Sequence, residues 1–233
     1  MRALLLAAGY GTRLRPLTNN IPKCLVPIRG RPLLDYWLEL LLEGGIEAVA
    51  VNTHYFAGQV SKFVGSTRWS RQVTLVHEDN LLGTGGTILR NRAFFRNEAF
   101  LVAHADNLTR FDVRAFIARH ENRPAGTVVS MMTFASDSPQ TCGIVVEDTE
   151  GIVREFHEKV PDPPGNRANG AVYIFEPEVI GFLESLGKPI IDLSIEVLPY
   201  YLGRICTFLN SDYHRDIGSP ESLRKAELEF PSP

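Results

Sequence analysis

Ala3 to Ala7 form an unbroken apolar run that leads into Ala8-Gly9-Tyr10-Gly11, and this junction limits what the chain can become more than any other stretch. A run with no polar residue on either face is the pattern of a strand buried on both sides of a parallel sheet, and such a strand needs helices above and below it. The next segment cannot supply one. Residues 8 to 31 are rich in Gly, Pro, Thr and Asn, and Pro16, Pro22 and Pro27 exclude a single helix or a central strand. A loop of that length inside a compact domain points to function. From Pro32 onward Leu33, Leu34, Trp37, Leu38, Leu41 and Leu42 recur at helical spacing until Gly44-Gly45 stops the helix.

The alternation persists. Short β-like runs at 47–51, 72–76 and 99–103 interleave with helix-like segments near 56–64, 84–92 and 112–120. That order predicts an α/β fold, Rossmann-like, with three α/β/α layers around a mixed, mostly parallel central sheet. After Gly126 the runs at 126–133, 143–147, 151–157 and 170–175 follow one another with little helix, as in a mixed extension of the same sheet. Helices are expected again near 177–186, 193–201 and 219–228, the last capped by Ser219-Pro220-Glu221. A length of 233 residues fits one domain, 1–233, whose character changes near residue 125.

Composition removes several classes. With 24 Lys and Arg against 27 Asp and Glu the net charge is −3, which argues against nucleic acid as a partner. Cys24, Cys142 and Cys206 are an odd, widely spaced set without a CxxC, so neither a disulfide framework nor a zinc site is expected, and a reducing compartment fits. The apolar run after Met1-Arg2 is too short for a signal peptide, and no stretch reaches the roughly 20 apolar residues of a membrane helix. A soluble, cytoplasmic protein with no membrane partner is the expectation.

Gly9-Tyr10-Gly11-Thr12-Arg13 stands where α/β sheets bind ligands, outside the carboxyl end of a strand, and glycines there let backbone N–H groups approach a phosphate. The dinucleotide fingerprint fails, because its third glycine would fall at Leu14 and Asn52 stands where an acid should close the second strand. A Walker loop fails too, since Lys and Ser/Thr do not follow the second glycine. A glycine turn with two cations, Arg13 and Lys23, remains. The whole string from Leu4 to Tyr36 resembles the signature of the sugar-1-phosphate nucleotidylyltransferases, or NDP-sugar pyrophosphorylases. Gly9, Gly11, Thr12, Arg13, Leu14, Pro16, Thr18, Pro22, Lys23 and Pro27 all fall in that pattern, and the resemblance runs on to the C-terminal segment.

The resemblance implies a nucleotide-binding half, 1–125, and a sugar-phosphate-binding half, 126–233, without the C-terminal β-helix of some relatives. It places Leu6, Ala8, Gly9, Gly11, Thr12, Arg13 and Lys23 around the triphosphate, with Glu78, Gly83 and Thr84 at the base. Arg13 and Lys23 would be catalytic, a fork-shaped guanidinium and a point-charge ammonium stabilising departing pyrophosphate. Mg²⁺ is the implied cofactor, held by Asp106 and Asp216, with His104 and His214 beside them as packing residues. Ala105 precedes Asp106 where relatives usually show Gly. For the sugar phosphate the resemblance implies Asn107, Gly143, Glu158, Lys159, Asn169 and Gly170, with Asp106 and Lys159 also catalytic. Glycine at 83 and 85 is attributed to close approach of a flat base. Cys24 is expected to pack as a small apolar residue, a redox role in the loop being the rival reading.

The implied reaction is attack of a sugar 1-phosphate on the α-phosphorus of a nucleoside triphosphate. A monoester with a second pKa near about 6 is already an anion at neutral pH, so no general base is needed. Glu78 could accept from guanine N1–H and N2–H₂ or from uracil N3–H, and this donor argument does not decide between them. Leu82-Gly83-Thr84-Gly85-Gly86 looks most like guanylyltransferases for heptose and mannose 1-phosphates, which makes GTP the favoured nucleotide. Uridylyl or cytidylyl transfer to another ester, such as N-acetylmuramate 1-phosphate, is the alternative within the class. A catalytically silent, nucleotide-sugar-binding subunit is the alternative outside it, and a homo-oligomer is compatible with either.

Overall fold

The computed structural model describes residues 1–230, so the last three residues of the expected domain lie outside the described residues. In chain order the first elements are β1 (Arg2–Leu6), β2 (Pro27–Ile28), β3 (Arg31–Pro32), α1 (Leu33–Glu43), β4 (Ala48–Thr53), α2 (Ala57–Ser66) and β5 (Val73–His77). There follow α3 (Gly83–Arg90), β6 (Phe100–His104), β7 (Asn107–Arg110), α4 (Val113–Glu121), β8 (Val129–Ala135), β9 (Gly143–Glu147) and β10 (Val153–Glu158). The last are β11 (Arg167–Phe175), α5 (Glu178–Ser185), β12 (Ile205–Leu209), β13 (Tyr213–Asp216) and α6 (Pro220–Glu229). The fold is α/β and Rossmann-like, with a mixed sheet flanked by helices. Its residues gather into two compact units that interleave along the chain instead of meeting at one point near residue 125.

The first unit takes Met1–Leu81, Ala103–Phe111 and the segment from Asp212. Here β1 pairs parallel with β4, and β4 with β5, as the doubly apolar first strand demands. Ala3, Leu4 and Leu5 are fully buried, and so is the whole apolar stripe of α1. Residues 8 to 31 hold no long element. They fold as 3-10 turns at Thr12–Leu14, Leu17–Asn19 and Lys23–Leu25, then turn through Arg29 and Gly30, both at positive φ, between β2 and β3. A small antiparallel ladder of β7 and β13 sets Asn107 opposite Asp216. α6 begins at Ser219, whose hydroxyl accepts from Ser222 N–H in a capping box.

The second unit takes Leu82–Val102 and Asp112–Ser211. Antiparallel pairing is prominent in it: β11 pairs with β8 and β9, and β9 with β10, while β12 adds in parallel beside β8. Phe95 and Phe100 stack at 4.0 Å in its core. His120 is buried between Ser130 Oγ at 2.8 Å and Glu176 Oε1 at 3.1 Å. The helix expected over 193–201 is instead a π-helical turn, Leu193–Val197, followed by a 3-10 turn, Leu198–Tyr201. Pro199 explains the break, since it has no N–H to continue an α-helical ladder.

Candidate functional site

The glycine loop is held in shape from below. Gly11 sits at φ 62, and its carbonyl accepts from Leu14 N–H at 3.0 Å and from the buried Thr18 hydroxyl at 2.7 Å. A Cβ on Gly11 would stand 3.0 Å from Thr18 Cγ2 and 3.1 Å from Lys23 Cβ, so both conformation and space call for glycine. Leu6 passes its carbonyl to Ala105 N–H, which lays the end of β6 beside the start of the loop. Ala8 is buried, whereas Gly9, Thr12 and Arg13 face solvent.

Four of the expected site residues meet in this unit. The Lys23 ammonium is nearly buried, 2.8 Å from Asp106 Oδ2 and 3.4 Å from Asp216 Oδ1. The exposed Arg13 guanidinium reaches Asp216 Oδ2 at 3.5 Å. The aspartates are brought together by the β7–β13 ladder and by Ile217 N–H, which donates to Asp106 O at 3.1 Å. Burial alone would raise the Asp106 carboxyl, but Lys23, with His104 and Arg13 behind it, holds it below the usual carboxylate range. Burial pushes His214 down to about 3, so it is a neutral packing group. Gly218 is part of the same cluster. A Cβ there would stand 2.4 Å from Asp216 Oδ2 and 2.8 Å from Arg13 Nη1.

Asp106 and Asp216 present only oxygen donors, the set a hard divalent cation takes. Among the described residues no group of three or more His, Cys, Asp or Glu side chains gathers as a metal cage. A pair of carboxylates completed by phosphate oxygens and water is the arrangement Mg²⁺ commonly accepts, so these residues fit it. Asn107 is buried, and its carbonyl accepts from Trp37 Nε1 at 2.7 Å, which ties β7 to α1.

A second network in this unit was not foreseen. Asn52 Oδ1 accepts from Ala7 N–H at 2.6 Å, and Asn52 Nδ2 donates to Glu78 Oε1 at 3.1 Å. Glu78 is thus fully buried and bridged to the backbone of the loop. His54 binds the Glu78 carbonyl through Nδ1 at 2.7 Å and Tyr10 OH through Nε2 at 2.9 Å. The residue that broke the dinucleotide fingerprint, Asn52, is therefore the strut between loop and Glu78. Forty-five positions separate Ala7 from Asn52, so no local pattern could signal the bond.

In the second unit the glycines of 83 to 86 have a reason other than a flat base. Gly83 sits at φ 71, where a Cβ would stand 2.5 Å from Ile191 O, and Gly86 packs so that one would stand 2.1 Å from Pro189 O. Gly85 N–H donates to Ile191 O at 2.8 Å, and Thr84 Oγ1 accepts from Leu193 N–H at 2.7 Å. The start of α3 is thereby docked on residues 189–193, which accounts for the glycines without any ligand.

The sugar-phosphate strings lie in the same unit. Gly143 faces Glu158 across the β9–β10 ladder, and a Cβ on it would stand 2.7 Å from Glu158 Oε2 and 2.6 Å from Phe156 Cζ. Lys159 leaves the strand at φ 50, donates its N–H to Cys142 O at 3.1 Å and pairs with Glu158 Oε1 at 2.9 Å. Asn169 and Gly170 occupy a bulge where β11 loses register with β8. There Asn169 Nδ2 donates to Tyr173 OH at 2.7 Å, and Ala171 adopts φ 52.

Cys24 is 1% exposed, and burial pushes its thiol up to about 12. A buried thiol held protonated is a poor nucleophile, so the redox reading gives way to the packing one.

The chain spans about half to just under two thirds of the length of the curated relatives it matches. It is 31% identical to mannose-1-phosphate guanylyltransferase of Mycobacterium tuberculosis, over 98% of this chain and 64% of that protein. It is 32% identical to UTP–glucose-1-phosphate uridylyltransferase of Synechocystis, over 79% of this chain and 51% of that protein. Among solved structures, HddC from Yersinia pseudotuberculosis complexed with GMP-PN superimposes with a TM-score of 0.82 at 26% identity, covering 99% of both chains. A glucose-1-phosphate thymidylyltransferase structure from Bacillus anthracis gives 0.89 at 21% identity, over 100% of this chain and 97% of that one, a likeness of fold alone. The nucleotidyl transferase family model matches residues 2–232, from the first strand through the Arg13–Lys23–Asp106–Asp216 cluster, and the chain belongs to that family.

Proposed function

We propose that this protein transfers a nucleotidyl group from a nucleoside triphosphate to a sugar 1-phosphate, releasing pyrophosphate. The observation that carries the reading is the convergence of Arg13, Lys23, Asp106 and Asp216 beside the glycine loop. In this reading Arg13 and Lys23 bind the triphosphate and stabilise the charge that develops on the leaving pyrophosphate. Asp106 and Asp216 hold Mg²⁺, which when bound neutralises phosphate charge and lowers the barrier to displacement. Glu158, Lys159 and Asn169 bind the sugar phosphate, Lys159 by its charge, with Gly143 and Gly170 leaving room for the ring. The attacking phosphate is already ionised, so the chain needs cations and metal carboxylates and no proton-abstracting base.

GTP with a heptose or mannose 1-phosphate is the favoured pair. It is supported by the guanylyltransferase name of the mycobacterial relative and by the GMP-PN complex of the Yersinia neighbour. The Synechocystis uridylyltransferase keeps UTP as the second reading. The test is pyrophosphate release in Mg²⁺ with GTP, UTP, CTP, ATP and dTTP, each crossed with mannose, heptose, glucose and N-acetylmuramate 1-phosphates. Turnover confined to GTP and the first two esters supports the favoured pair, and turnover with UTP replaces it. No release from any pair, with a folded sample, leaves a nucleotide-sugar-binding protein without catalysis.

A further inference from the structure

Lys23 is unusual for a phosphate-binding lysine. Its side chain is 8% exposed, and its ammonium contacts both carboxylates that would hold a divalent ion. Asp106 is reached at 2.8 Å and Asp216 at 3.4 Å, while Arg13 covers the other Asp216 oxygen at 3.5 Å. Two negative charges are therefore matched by two positive ones. An ion held by both aspartates would have to take the space in which the ammonium stands, and without an added anion it would leave that ammonium buried among positive charge. The stem of Lys23 cannot withdraw to relieve this, because its Cβ packs beneath Gly11 and its backbone is fixed in the Lys23–Leu25 turn. Only the end of the side chain is free to swing, and the group to receive it must be an anion at the loop.

We infer that Lys23 is a resident counter-ion: it occupies the divalent-ion position in the nucleotide-free protein and yields it only when a polyphosphate draws the ammonium away. Metal and nucleotide then bind as one coupled event, and metal alone binds poorly. Both partners are named by their chemistry, a divalent cation and a polyphosphate chain. The inference rests on the metal-dependent reading above, and it concerns when the ion can enter, which that reading leaves open.

The test is Mn²⁺ binding, followed by loss of the free-ion electron paramagnetic resonance signal. It compares the wild type, Lys23→Met, and Lys23→Gln, which keeps a donor for Asp106 without the charge. Without nucleotide the wild type should bind weakly and either variant roughly tenfold or more tightly, an advantage cancelled by adding Asp106→Asn. In the wild type an α,β-methylene analogue of GTP, which cannot release pyrophosphate, should restore tight Mn²⁺ binding, seen as uptake beyond that of the same analogue without protein. Wild-type Mn²⁺ affinity equal to that of the variants, or already tight without nucleotide, overturns the inference while the metal site stands. Titrations of the wild type with and without the triphosphate suffice to overturn it even if both variants fail to fold. Mn²⁺ uptake that in every protein is no greater than that of buffer or of the triphosphate alone overturns the metal site itself and the inference with it.

Discussion

At the scale of single residues, the cluster around Lys23 separates charge chemistry from packing. Asp106→Asn leaves Lys23 its contact with Asp216, so the thermal midpoint should stay near that of the wild type while turnover falls roughly a hundredfold or more. Unchanged turnover would remove Asp106 from the reaction. The cysteines give a second residue-scale expectation. Cys24 and Cys206 are buried and Cys142 is partly exposed, so iodoacetamide on the folded protein should modify Cys142 first. Mass spectrometry showing early modification of Cys24 would restore the redox reading. At this scale Arg13, Lys23, Asp106 and Asp216 stood out in the sequence by their place in the family pattern, and the structure brings the four side chains together. Asn52 and Gly218 were not legible as site residues. Their roles depend on partners supplied by distant segments, and Asn52 stood out in the sequence only as a missing acid.

At the scale of elements, periodicity served best where one face is wholly buried. The stripe from Leu33 to Leu42 and the run from Ala3 both describe what is observed. It served worst where the chain bends soon after an element. Two residues separate β7 from β6, and β7 and β13 are each four residues long, so neither carries enough repeats to show a period. The segment after Asp192 misled for another reason: its apolar spacing is helical, yet Pro199 prevents α-helical continuation. Glycines supply the test at this scale. Gly86→Ala places a Cβ 2.1 Å from a backbone carbonyl and should cost about 1–3 kcal/mol as the contact between α3 and residues 189–191 opens. Gly181, within α5, has nothing within 4 Å of its Cβ position, so Gly181→Ala should stabilise by about 0.5–1 kcal/mol. Thermal melts that rank the two alike would mean that helix propensity outweighs packing here.

At the scale of the whole molecule, stability should depend on acid through His120. Burial, with Arg123 adding to it, lowers its pKa from 6.5 to about 4, although Glu176 pulls the other way. Between those values the unfolded chain binds a proton that the folded one refuses, so stability is full at neutral pH and falls as the pH drops from about 6.5 towards 4. His120→Gln should flatten that decline in a series of melts, and an equal slope in both proteins would place the acid sensitivity elsewhere. The two units raise a further consequence, in the order of synthesis. Every residue of the second unit has been made once Ser211 is added, whereas the first still lacks β13 and Asp216 at that point. Synthesis therefore completes the sequence of the second unit before that of the first, the reverse of a simple N-terminal-first order. The carboxylate that closes the charged cluster is delivered after the whole of the second unit, so a translation product interrupted at Ser211 would carry the loop, Lys23 and Asp106 without Asp216.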